Sequence, residues 1–68
     1  MNDDQKYWYC ARLAYLIIKD FMSDRTAAET WKMVYSVMCA HGSSGNLNQF
    51  VSKLEAHAEA SNIPLPLV

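Results

Sequence analysis

Apolar positions along the chain recur at helical spacing in three stretches, and a fourth stretch is broken by prolines. The first predicts a helix over about residues 4–22. Asn2 or Asp3 can cap it, Asp3 and Asp4 suit its first turn, and neither Gly nor Pro interrupts it. At 100° per residue, Gln5, Arg12 and Lys19 share one narrow sector. Tyr7, Cys10, Ala11, Leu13, Ala14, Ile17, Ile18, Phe21 and Met22 spread over most of the remainder. A helix packed on one side needs an apolar stripe only somewhat wider than about 100°, so this one must bury two sides or lend one to a partner. Tyr9 and Leu16 sharpen the point, because both lie beside Arg12 in the polar sector.

The second helix is announced by Thr26-Ala27-Ala28-Glu29, the spacing of a capping box, and is predicted over 27–41. Gly42 suits its C-terminal end and His41 its last turn. Ala27, Trp31, Val34, Tyr35 and Met38 form its main apolar face, opposite Glu29, Lys32 and Ser36. Met33, Val37, Cys39 and Ala40 widen that face beyond one stripe. After Gly42-Ser43-Ser44-Gly45, Ser44 or Asn46 can cap a third helix over about 47–60. There Leu47, Phe50, Val51, Leu54 and Ala58 recur at threes and fours, against Asn48, Gln49, Ser52, Lys53, Glu55 and Glu59. Ser61-Asn62 ends it. The tail 63–68 alternates Ile63, Leu65 and Leu67 with Pro64 and Pro66, which forbids helix and favours an extended strap across the helices or across another subunit.

These elements predict an all-α fold: one small three-helix domain with an extended apolar C-terminal tail. At 68 residues, with 51% hydrophobic and 19% charged residues, the composition is that of a globular chain and not of a disordered one. Ordering a chain this short costs nearly as much as its apolar burial returns, and small domains offset the deficit with disulfides, metals, dense packing or self-association. Two cysteines permit one bridge at most, so an oligomer, a homodimer in the simplest case, is the expectation. From Met33 through Ser52, twenty consecutive residues carry no Asp, Glu, Lys or Arg, which places the end of the second helix and the start of the third at a buried contact.

The chemistry-bearing residues point away from catalysis. Cys10, Cys39, His41 and His57 could supply four ligands to zinc, but their spacing fits none of the compact ligand pairs, so no metal or cofactor is expected. Cys39 and His41, two apart on a helix, cannot face each other as nucleophile and base. Asp3, Asp4, Asp20 and Asp24 sit at a helix start and a turn, where acidic residues belong for local reasons. The Ser-Gly connection lacks the lysine and preceding strand of a phosphate loop. The apolar run Leu13–Ile18 is far short of a bilayer span of about 20 residues, and the acidic start lacks a secretory leader's basic region, so a cytoplasmic protein is expected. Six basic against seven acidic residues give no footprint for phosphate backbones.

The aromatic residues carry the functional expectation. Tyr7-Trp8-Tyr9 point in three directions and cannot all enter one core; Trp8 and Trp31 are expected as core anchors, with Tyr9 and Leu16 left for a contact surface. The expected function is a non-enzymatic protein-interaction module, a regulator, adaptor or inhibitor, using Tyr9, Leu16, Tyr7, Met33 and Val37. The alternative is a small nucleic-acid-binding transcriptional regulator whose Lys6, Arg12 and Lys19 touch phosphates.

Overall fold

A computed structural model describes residues 2–41 and 46–66, and every absence stated below refers to them. They form three α-helices and no strand: α1 (Asp3–Phe21), α2 (Ala27–His41) and α3 (Leu47–Ala60). The all-α, three-helix expectation is what the chain adopts, with α2 and α3 beginning and ending where the pattern placed them. The Gly42 helix end, the Ser44 cap and Leu67 fall outside the described residues.

Each helix start has a local cause. Asn2 Oδ1 accepts from Gln5 N–H at 2.8 Å while Asn2 N–H donates to Gln5 Oε1 at 2.9 Å, a reciprocal box that satisfies two orphan donors of α1. At α2 the expected box forms: Glu29 N–H donates to Thr26 Oγ1 at 3.1 Å, and Thr26 N–H to Glu29 Oε1 at 3.2 Å. Asn46 holds the N-cap position of α3, its carbonyl accepting from Phe50 N–H at 3.0 Å.

The end of α3 is a Schellman turn. Asn62 takes the left-handed conformation at φ 58°, and the N–H groups of Asn62 and Ile63 donate back to Glu59 O (3.2 Å) and Ala58 O (2.8 Å). Ile63 is thereby folded onto Ala58, Tyr9 and Leu13, and is 8% exposed. The strap stops there. Leu65 is 48% exposed, so the tail docks through Ile63 and not through Leu65 as expected.

Helix α1 is the spine of the molecule: α2 packs along one side of it and α3 along another, while α2 and α3 meet less extensively, where Leu47 joins Val34 and Met38 in one buried cluster and His41 stacks on Phe50 (5.1 Å, 26°) near the turn between them. The α2 side buries Cys10, Ala11 and Ala14 with Val34, Met38 and Leu47; the α3 side buries Tyr9 and Leu13 with Ala58 and Ile63. The wide apolar arc of α1 is therefore used on two sides within one chain, and the argument it supplied for a homodimer falls away.

Three expectations are corrected by this packing. Tyr9 does not face a partner: it is 4% exposed, and its hydroxyl donates to Glu55 Oε2 on α3 at 2.7 Å. Leu16 is half-buried against the same cluster. The α2 face is rotated toward Thr30, which is fully buried beside Val34 and Met38, while Ala27 and Tyr35 are exposed. Thr30 tolerates burial because its hydroxyl donates to Thr26 O at 2.9 Å, leaving the methyl group to pack.

Candidate functional site

The antiparallel pair α1 and α2 opens outward into an aromatic groove. Every fourth residue or so along α1 presents a group to it: Tyr7 and Trp8, then Ala11, then Tyr15 one turn further on. Trp31, Val34, Tyr35 and Met38 supply the α2 side. Small buried Ala11, with Val34 and Met38, makes the floor; Trp8 and Tyr35, 56% and 70% exposed, make the walls. The cavity holds about 210 Å³, and no charged side chain lines it.

Ring contacts fix its shape. Tyr15 and Trp31 stack across the two helices at 4.6 Å and 27°, closing the groove at one end. Tyr7 and Trp8 meet edge to face at 5.6 Å and 86°, which holds the Trp8 indole out from the helix. The side-chain hydrogen bond with Cys39, one turn on, is the main cause raising the Tyr35 hydroxyl above its ordinary value of 10, followed by the charge of the Cys39 thiolate, burial and nearby Tyr7. The hydroxyl stays protonated at the groove rim.

Elsewhere the chemistry is quiet. A shallow depression of about 530 Å³ lies between the end of α1 and the tail, lined by Leu16, Lys19, Asp20, Ser23, Asn62, Ile63 and Pro64. Lys19 Nζ is committed there to the Arg25 carbonyl. Another, of about 140 Å³, is bordered by His41, Asn46, Gln49, Phe50 and Lys53. Both thiols are free; burial pushes Cys10 up to about 11, so it is a core residue, while Cys39 is exposed. Among the described residues no three His, Cys, Asp or Glu groups converge as a metal site, and no helix is long and apolar enough to cross a membrane.

Of the five residues expected at a contact surface, the groove gathers only Tyr7. Tyr9 and Leu16 lie on the α3 side of α1, and Met33 and Val37, both half-buried, lie on the flank of α2 away from Trp31 and Tyr35. Trp8 and Trp31 are corrected from core anchors to groove walls, at 56% and 41% exposure. A signal for Trp8 was present: its neighbours one turn away on either side are Asp4 and Arg12, so it belongs to the polar sector. No comparable signal marked Trp31, because the rotation of α2 toward Thr30 depends on packing. No family model, curated protein or solved structure matches the chain.

Proposed function

We propose that this chain is a non-enzymatic protein-interaction module, a small regulator, adaptor or inhibitor, that engages its partner through the aromatic groove between α1 and α2. The observation that carries this reading is the exposure of three large aromatic side chains in one place: Trp8, Trp31 and Tyr35 stand 56%, 41% and 70% exposed along one groove, above a floor of buried Ala11, Val34 and Met38. Large aromatic side chains gathered in a concave, uncharged patch are the usual anchors of protein interfaces, where Trp and Tyr dominate the binding energy. Two of the three cations that a nucleic acid would need are occupied within the fold: Lys6 Nζ donates to Asn48 Oδ1 at 2.6 Å and Lys19 Nζ to the Arg25 carbonyl. That favours a protein over a phosphate backbone.

The test is affinity capture from the native host with the wild-type chain and with a Trp8→Ser, Tyr35→Ser variant. Both positions are exposed, so the variant should keep its helix content and melting temperature. A protein retained by the wild type and lost by the folded variant is the expected result. Equal capture by both would remove the groove as the binding surface, and steeply salt-dependent binding to duplex DNA would replace this reading with the nucleic-acid one.

A further inference from the structure

The rim of the groove says what kind of partner fits it, an inference that rests on the groove being the interaction surface. Arg12 follows Trp8 by one helical turn and Lys32 precedes Tyr35 by three residues, so one cation borders the aromatic strip on its α1 side and one on its α2 side. Both are exposed, and neither makes an ion pair or side-chain hydrogen bond among the described residues. Of the other cations, Lys19 is held by the Arg25 carbonyl and Arg25 pairs with Glu29 at 3.4 Å. Asp4, one turn before Trp8, is the acidic group on the α1 side, and it lies at the Tyr7 end, away from the middle of the strip.

We propose that the groove binds a short amphipathic helix of acidic character, with an apolar stripe flanked by Asp or Glu. Length and charge both select it. From Tyr7 to Tyr15 the groove runs eight residues, about 12 Å of helix, which matches the roughly 10 Å between the first and last anchors of an i, i+3, i+4, i+7 stripe. An uncharged floor accepts the anchors, and the two unpaired cations on opposite rims receive carboxylates from both sides of the stripe. A second copy of this chain is a poorer occupant, because a two-fold contact would bring the same Arg12 and Lys32 toward these cations. A bilayer surface is poorer too, since a flat apolar layer cannot reach the Ala11, Val34 and Met38 floor between the Trp8 and Tyr35 walls.

The chain's two tryptophans, Trp8 and Trp31, both stand in this groove, so their fluorescence reports the site when the probe lacks tryptophan. The probes are three synthetic helical peptides with leucine at i, i+3, i+4 and i+7 and with flanking positions all Glu, all Gln or all Lys. The Glu peptide should bind roughly tenfold tighter than the Gln peptide and the Lys peptide more weakly still, the spread should shrink with salt, and Arg12→Glu with Lys32→Glu should reverse the order. Equal binding by all three, abolished by Trp8→Ser with Tyr35→Ser, would overturn the acidic assignment while leaving the groove as the interaction surface. No fluorescence response to any peptide would overturn the helix as occupant; a dimer dissociated by Trp8→Ser would then assign the groove to a second copy, and a response to vesicles of phosphatidylcholine and phosphatidylserine would assign it to a membrane.

Discussion

Tyr9 carries a ring that belongs in a core and a hydroxyl that does not, and its position depends on which group answers the hydroxyl. Glu55 answers from α3, forty-six residues away, at 2.7 Å. Periodicity along α1 could not show this, since the residue's own helix places it beside Arg12. Tyr9→Phe should cost about 1–2 kcal/mol in urea denaturation at neutral pH, because the half-buried Glu55 carboxylate loses its donor. Burial first, then the hydrogen bond and charge of Glu55, push the Tyr9 hydroxyl from 10 up to about 12. A raised folded-state value means that the stabilisation is complete below pH 10 and is lost as pH climbs from 10 through about 12. Cys10, pushed by burial from 9 to about 11, is lost over an earlier, overlapping window. The Tyr9→Phe chain should therefore retain the earlier alkaline loss and lack the later one. A stability profile identical to wild type above pH 10 would show that Tyr9 is not buried and bonded to Glu55 in solution.

Helix ends were the most legible elements, because caps and stop signals act over three or four residues and need no tertiary partner. Thr26→Ala should cost about 1 kcal/mol by leaving the Glu29 N–H without its acceptor. The Thr26 N–H and hydroxyl, with a smaller contribution from Arg25, hold the Glu29 carboxyl below its ordinary 4.5. A lowered value stabilises above the ordinary carboxylate range and is lost on acidification, so the difference between wild type and Thr26→Ala should narrow as pH falls through 4.5 and below. A difference that stays constant through acid would mean that the Thr26 hydroxyl does not bond the Glu29 carboxylate. At the other end, Asn62→Ala should cost about 1 kcal/mol, since alanine resists a φ of 58°, while Asn62→Gly should be neutral or slightly stabilising. An alanine variant as stable as wild type would disprove the left-handed turn that carries Ile63 back onto Tyr9. The pattern captured that the helix ends at Ser61-Asn62 and that Ile63 lies across the helices, but not the left-handed turn at Asn62 that carries it there, although Asn followed by an apolar residue and a proline fits such a turn. Faces were less legible than ends, because threonine counts as polar in any pattern, yet Thr30 satisfies its hydroxyl on its own helix and enters the core.

At the scale of the molecule, the same apolar arc on α1 describes a helix clasped by two neighbours and a helix shared between subunits, and only the path of the chain separates them. Here α2 and α3 take the two sides, which turns Leu16 from a contact residue into part of the α1–α3 seam beside Tyr9, Leu13, Ala58 and Ile63. The surface left over is the aromatic groove, on the α2 side. Substitutions on the two sides of α1 should consequently differ in kind. Leu16→Glu places a charge against the seam and should lower folding stability by about 2 kcal/mol or more, equally at dilute and concentrated protein, because the lost contact lies within one chain. Trp8→Ser with Tyr35→Ser, whose side chains are mostly exposed, should stay within about 1 kcal/mol of wild type in the absence of a partner. Chemical denaturation of both variants over a hundredfold range of protein concentration decides the matter. A Leu16→Glu penalty that appears only at high concentration would return that residue to a subunit interface and restore the dimer, whereas a groove variant that unfolds by itself would make Trp8 and Tyr35 structural and leave the groove without its anchors.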